Sequence, residues 1–312
     1  MGDSKLGRKK FLGSLVGAAL GDAIGASREG HRIAAEREIR NMVRISHTLR
    51  YTDDTHMTIG VAESLVENRG FNGAHMAQRF ADNYFQEPWR GYGPGPPRVF
   101  RFLRSGEAWD KAAGYVYPGG SFGNGAAMRA APIGLFFWNK PAELKKVAYQ
   151  ASLITHSHPL GMEGAALQAM AVALAVAENS DESLDPQSFI SRLLDFTTED
   201  IYRAKIAKLR LLLERPDDRQ TVVQELGHGI EAFNSVPTAI FAFLAHTQDF
   251  VSAVIYAVNL GGDTDTIASM AGAISGAYLG IEAILTEWQE QLENRDYILN
   301  LADRLWQVAS GR

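Results

Sequence analysis

The sequence predicts an all-α fold, and three observations carry that prediction. Sustained alternation of apolar and polar residues, the mark of a half-buried strand, is missing along the chain. Apolar residues recur instead at helical spacing in one segment after another. Clusters of Gly, Pro, Asn and Asp separate those segments. A chain of 312 residues can bury a substantial core. No low-complexity segment or long internal repeat divides it, so one domain over residues 1–312 is expected.

Composition narrows the function classes. Hydrophobic residues make up 46% and charged residues 21%, as in ordinary globular chains. With a net charge of −5 there is no broad basic field to hold a phosphate backbone, so nucleic acid is not an expected partner. Cysteine is absent, which excludes disulfides, a thiol nucleophile and thiolate zinc sites. That fits a reducing compartment. No stretch reaches the roughly 18 uninterrupted apolar residues of a membrane span. A cytoplasmic monomer without a membrane partner is the expected form.

Taken in chain order, residues 7–26 admit two readings. Arg8-Lys9-Lys10, the apolar run from Phe11 to Leu20 and the small residues around Ala26 have the layout of a secretory signal. The preferred reading is a buried first helix. Gly13, Gly17, Gly21 and Gly25 fall at every fourth position and so line one helix face. Glycine weakens a helix, so such a stripe implies close approach to a neighbouring backbone. Asp22 interrupts the apolar run. Next, Tyr51-Thr52-Asp53-Asp54-Thr55 leads into a helical run with Met57, Ile59, Val61 and Leu65. Breakers follow from Glu87-Pro88 to Pro97, where Gly91 to Pro97 reads as a surface loop, and again from Tyr117 to Gly125.

Within the second break, Gly119-Gly120-Ser121-Phe122-Gly123-Asn124-Gly125 precedes an Ala-rich, helix-compatible run. Such glycines let backbone amides converge, and a helix start favours anions, so a pyrophosphate would suit it. Phe122 offers a face for stacking. A flexible surface turn accounts for the same residues equally well. His156 and His158 flank Ser157 without further histidine ligands nearby, and a structural or capping role suits His158. Met162, Ala166, Met170 and Leu174 then recur four apart. Ser180 to Pro186 breaks the pattern. Leu209, Leu212 and Leu213 share a face of a charged stretch from Asp200, ended by Pro216-Asp217-Asp218. Gly261-Gly262-Asp263-Thr264-Asp265-Thr266 opens another helical run, Ile267 to Gly272. Ile284, Leu285, Trp288 and Leu292, then Ile298, Leu301 and Leu305, complete the helical stripes. Core packing accounts for all of these stripes.

The two acidic motifs carry the chemistry. Asp and Thr before a helix are good N-caps, but one cap accounts for one Asp. It does not account for Asp53 with Asp54, or Asp263 with Asp265. Carboxylates gathered at buried helix starts cost several kcal/mol per ion unless a cation compensates, and neither motif contains Lys or Arg. An all-oxygen donor set points to Mg²⁺, with Mn²⁺ or Ca²⁺ as substitutes. His56 follows the first motif directly and receives no role.

These motifs, in this order, resemble the ADP-ribosylglycohydrolase family. The likeness rests on Gly21-Asp22 to Glu29, on Thr52-Asp53-Asp54-Thr55, on Gly120 to Arg129, and on Gly261 to Thr266. Thr155-His156, Leu160-Gly161 and Ser235 to Ile240 match as well, so it runs over roughly residues 8–310. It is nearest to the branch that removes serine-linked ADP-ribose and also acts on O-acetyl-ADP-ribose and poly(ADP-ribose). The resemblance implies a compact orthogonal helical bundle. It implies two Mg²⁺ ions held by Thr52, Asp53, Asp54, Asp263, Asp265 and Thr266. It implies Glu29, Asp54 and Asp265 as catalytic residues, and substrate contact by Gly120, Ser121, Phe122, Gly123, Asn124, His156 and Ile230. Three positions depart from the pattern. Phe122 stands where relatives often have Tyr, and His228 where they often have Asn. Val116, between Tyr115 and Tyr117, stands where a second adenine-side aromatic is expected. An Mg²⁺-dependent hydrolase that frees ADP-ribose is the expected function. Its alternatives are cleavage of arginine-linked ADP-ribose, a non-catalytic ADP-ribose-binding protein of this fold, and a magnesium phosphohydrolase.

Overall fold

The computed structural model describes residues 2–30, 34–180 and 182–311, and for residues 2–6 the backbone alone. Residue 181 of the break at 180–186 lies outside that range. The described residues form helices and no strand. The first are α1 (Gly2–Ala26), α2 (Glu36–Ile45), α3 (Asp53–Asn68), α4 (Gly73–Gln86), α5 (Pro96–Arg104) and α6 (Ala112–Val116). A 3-10 turn (Asn124–Ala126) precedes α7 (Ala131–Phe136), α8 (Pro141–Ser152) and α9 (Pro159–Ala177). Then come α10 (Pro186–Phe196), α11 (Asp200–Leu212), α12 (Arg219–Leu226), α13 (Ala232–Ala245), α14 (Phe250–Val258) and α15 (Thr264–Leu279). A second 3-10 turn (Ile281–Ala283), α16 (Thr286–Gln291) and α17 (Arg295–Ala309) follow.

The glycine stripe of α1 does what its spacing implies. A Cβ on Gly13, Gly17, Gly21 or Gly25 would stand 2.4, 2.4, 2.0 and 2.4 Å from the carbonyl oxygens of Gly276, Gly272, Ala268 and Thr264. Those carbonyls belong to α15, which answers with its own Gly272 and Gly276 facing Gly17 and Gly13. The two backbones therefore touch along the whole stripe. The Ser14 hydroxyl donates to the Ala273 carbonyl at 2.9 Å, and the Thr264 hydroxyl to the Gly25 carbonyl at 2.9 Å. On its other faces α1 buries Phe11, Val16, Ala19, Leu20 and Ile24. The segment whose composition also suits a signal sequence is thus the central core helix.

Around this pair, α15 packs on α9, α13 and α14, while α3 packs on α4, α7 and α17. Helix α9 is long and apolar enough to cross a membrane, although its apolar residues do not form an uninterrupted run. Here 83% of its apolar window is buried among other helices. Its one carboxylate, Glu163, is wholly buried and fully served. It accepts from the Thr197 hydroxyl at 2.6 Å, from the Thr198 N–H at 2.7 Å and from Tyr149, and it pairs with Lys145 at 3.2 Å.

Candidate active site

The site forms where the N-termini of α3 and α15 meet above the glycine-paired end of α1. Three helices converge there, and the first contribution comes from a residue whose motif alone suggests no role. Asp22 of α1 is wholly buried. Its carboxylate accepts from the Thr52 N–H at 3.0 Å, the Thr52 hydroxyl at 2.8 Å, the Thr55 N–H at 3.0 Å and the Thr55 hydroxyl at 2.6 Å. It satisfies free amides at the start of α3 from a neighbouring helix. Thr52 is the N-cap itself, accepting from the Asp54 N–H at 3.3 Å. Capping of α3 is therefore supplied by Asp22 and Thr52. Asp53 and Asp54 are left without that task, and both are buried.

The second motif arrives from the opposite side. Asp263 occupies the N-cap position of α15 without making a capping bond. Asp265 accepts from the Thr266 N–H at 2.8 Å. The Thr266 hydroxyl reaches Asp54 Oδ1 at 3.4 Å across 212 residues of sequence. The second carboxylate oxygen of Asp54 is buried with no hydrogen-bond partner. Burial, reinforced by Asp265, Asp22, Asp53 and Asp263, pushes the Asp54 carboxyl well above the usual carboxylate range. Burial first and neighbouring carboxylates second raise Asp53 to about 8. Burial and the bond with Asp265 raise Asp263 to about 8, while burial lifts Asp22 to about 6 against the pull of its threonine donors. The arrangement holds more negative charge than its protein surroundings compensate. Among the described residues, no three acidic or imidazole side chains stand closely enough to grip an ion as they are. The donor chemistry, all hard oxygen with one orphaned buried atom, fits a hard divalent cation.

The break at 87–95 lies over this cluster, not merely on the surface. Arg90, 8% exposed, donates to the Tyr51 carbonyl at 3.0 Å and pairs with Glu87 and Glu293. Gly91, at φ +89°, passes close to Asp53 Oδ1 and Thr52. The His56 ring turns to the Tyr92 hydroxyl at 3.0 Å, and burial lowers its pKa to about 4.

The glycine loop differs from expectation in one respect. Its sequel is a single 3-10 turn, then a further hydrogen-bonded turn at residues 127–129, before the short α7. The long helix whose N-terminus lies against the loop is α9, where a Cβ on Gly161 would stand 2.7 Å from the Ser121 carbonyl oxygen. The loop is also pinned to residues 230–232: the Asn124 N–H donates to the Ile230 carbonyl at 2.9 Å, and the Ala232 N–H to the Phe122 carbonyl at 3.0 Å. This pairing sets Ile230, 68% exposed, opposite Asn124, and Ala232 opposite Phe122, 45% exposed. The Phe122 ring also meets Phe233 at 6.0 Å and His158 at 5.5 Å. His158 caps α9, accepting from the Leu160 N–H at 3.1 Å. Gly120, at φ +77°, lies against the His158 backbone, so a side chain there would collide. Ser121 accepts from the Gly123 N–H at 3.3 Å. Asn124 is buried, and its amide donates to Asp263 at 2.5 Å and to Ser235 at 3.1 Å. It thereby joins the glycine loop to the acidic cluster. His228 sits beneath the second motif, its ring bonded to the Leu260 carbonyl at 2.9 Å and its own carbonyl accepting from Asp263 N–H at 2.9 Å. Val116 turns inward to Val99, Ala112 and Ala113, leaving Tyr115 and Tyr117 exposed.

Glu29 occupies the exposed turn after α1. That turn begins at Gly25, whose backbone touches that of Asp265. The residues that follow it, 31–33, lie outside the described range. Asp22, the clamp of the site, carried one sequence signal: a carboxylate beside a glycine in an otherwise apolar helix.

Comparison with known proteins gives concordant results. The family model described as ADP-ribosylglycohydrolase matches residues 3–312. The protein named ADP-ribosylhydrolase ARH3 from Danio rerio is 38% identical over 338 residues, covering 96% of this chain and 90% of that one. The protein of the same name from Homo sapiens is 36% identical over 339 residues, with 96% and 93% covered. A solved structure titled ADP-ribosylglycohydrolase-related protein complex superposes with a TM-score of 0.76 at 26% identity, over 98% of this chain and 99% of that one.

Proposed function

The chain belongs to the ADP-ribosylglycohydrolase family and is an ADP-ribosyl hydrolase; from that premise, we propose that it releases intact ADP-ribose from O-linked substrates. Serine-ADP-ribosylated protein and O-acetyl-ADP-ribose come first among these, with poly(ADP-ribose) a further substrate. The observation that carries the reading is the convergence of Asp54 and Thr266, with one Asp54 oxygen buried and unpartnered. Two Mg²⁺ ions held by Thr52, Asp53, Asp54, Asp263, Asp265 and Thr266 would supply the missing positive charge. When bound, such ions orient sugar hydroxyls and acidify water.

The chain's own residues have separate tasks in this reading. Hydrolysis breaks the bond between ribose C1 and the substrate oxygen, and the oxygen of a water joins C1 through an oxocarbenium-like state. The leaving oxygen gains a proton and the water loses one. Glu29, in its exposed turn, is the carboxylate assigned to that proton movement. Phe122 and Ile230 offer apolar surface to the nucleoside, and the glycine loop with His156 receives the diphosphate.

The test is incubation with serine-ADP-ribosylated peptide, with and without a chelator. Free ADP-ribose and unmodified peptide are expected, with turnover lost on chelation and regained with Mg²⁺. Release of AMP or phosphate would overturn the glycosidase reading. Faster cleavage of a matched arginine-linked peptide would overturn the linkage assignment.

A further inference from the structure

Arg129 is 1% exposed and has no carboxylate within hydrogen-bond distance among the described residues. It lies over the Phe80 ring at 4.5 Å, touches the Met57 sulfur at 3.6 Å, and donates to the Ala151 carbonyl at 3.2 Å and the Thr155 hydroxyl at 2.8 Å. A buried guanidinium without a bonded counter-ion is expensive, so its donors constrain whatever they meet. Arginine only donates, so Thr155 Oγ1 must accept from it.

Thr155 Oγ1 also lies 2.8 Å from His156 Nδ1. Two proton placements are formally open there. If Nδ1 carried the ring proton, Thr155 would accept twice. Its own hydroxyl proton would then have no acceptor, in a residue 2% exposed whose hydroxyl has only these two partners among the described residues. An unsatisfied buried donor costs roughly 1–3 kcal/mol. If Nδ1 is bare, Arg129 donates to Thr155, Thr155 donates to His156, and every group is satisfied. The ring proton then resides on Nε2.

That edge of the ring faces the glycine loop. A Cβ on Gly125 would lie 2.9 Å from His156 Nε2, and one on Gly123 3.5 Å from it. Nε2 has no protein hydrogen-bond partner among the described residues. We propose that Arg129 and Thr155 are positioning residues that lock His156 as the Nε2–H tautomer, so that His156 presents one fixed N–H donor, beside the glycine loop, to a bound diphosphate. Burial and the Arg129 charge hold the ring neutral, with a pKa lowered to about 3. The donor is therefore a neutral N–H with one orientation, as a ring with a satisfied second nitrogen provides. The identity of the acceptor rests on the ADP-ribose reading; the tautomer does not.

Ring-¹⁵N histidine labelling of the ligand-free protein at neutral pH tests the tautomer directly, through long-range proton–nitrogen correlations. His156 is expected to carry its proton on Nε2 alone. Thr155→Val removes the relay and is expected to give mixed tautomers and ~10-fold weaker ADP-ribose binding by calorimetry. Thr155→Ser keeps the hydroxyl and is expected to restore both. A wild-type ring protonated on Nδ1, or on both nitrogens, overturns the proposal. So does a Thr155→Val protein with unchanged tautomer and unchanged affinity. An Nε2–H ring in a protein that does not bind ADP-ribose would sink the ligand assignment while upholding the tautomer.

Discussion

Glu29 and His156 show how differently two site residues depend on their surroundings. Glu29 stands in an exposed turn, and its assigned work is proton transfer. Glu29→Gln should keep ADP-ribose affinity within about tenfold while slowing cleavage by ~10²-fold or more, the scale of lost acid–base help. Failed binding with unchanged residual turnover would instead make it a ligand or structural residue. His156 is buried and neutral, its pKa pushed by burial from 6.5 to about 3. Its folded value lies below its unfolded one. Its neutral form therefore contributes stability that is complete above the unfolded value and is lost as pH falls toward the folded value. The stability margin of the wild type over His156→Gln should shrink as pH drops from about 6.5 to 4. Denaturant titrations at several pH values measure it, and a constant margin would contradict the assignment.

At the scale of elements, the α1–α15 contact decides whether the site exists. A methyl carbon at the Gly21 position would stand 2.0 Å from the Ala268 carbonyl oxygen, a backbone atom that cannot rotate away. Gly21→Ala must therefore part the helices. A loss of about 3 kcal/mol or more is expected, at the upper end for overpacked cores. Because Asp22 adjoins Gly21 and clamps the start of α3, the same variant should weaken Mg²⁺-induced stabilisation. Thermal melts with and without Mg²⁺ separate the two effects. A melt like that of the wild type would mean that the backbones are not in contact. By contrast, a Cβ on Gly30, at φ +71°, would meet no atom of the described residues within 4 Å.

For the whole molecule, the proposed cation binding would be coupled to folding, since the proposed ligands meet only in the folded chain. A ligand specific to the folded state stabilises by about 2.7 kcal/mol at one hundred times its Kd. Mg²⁺ should raise the melting temperature and a chelator should remove the gain. Asp54→Ala and Asp265→Ala should each abolish that gain along with turnover. Substituting Asp54 also removes a buried carboxyl with one unpartnered oxygen, so the metal-free variant should be at least as stable as the metal-free wild type. Normal hydrolysis by either variant would refute the cation assignment.

Two features were legible in the residues alone: the all-helical character of the chain and the starts of its two acidic helices. Both depend on consecutive residues: spacing at Met57 to Leu65 and at Ile267 to Gly272 encodes each helix locally, and glycines at every fourth position foretold a close neighbour for α1. Which neighbour that is, the capping of α3 by Asp22 from another helix, and the tie from Asn124 in the glycine loop to Asp263 emerge only on folding. Folding also puts a 3-10 turn after that loop, where a helix was expected, and ties residues 122–124 to 230–232. These outcomes share one cause. A hydrogen bond between residues far apart in the chain depends on how helices dock, and docking is set by side chains from every helix at once, which no local window of sequence contains.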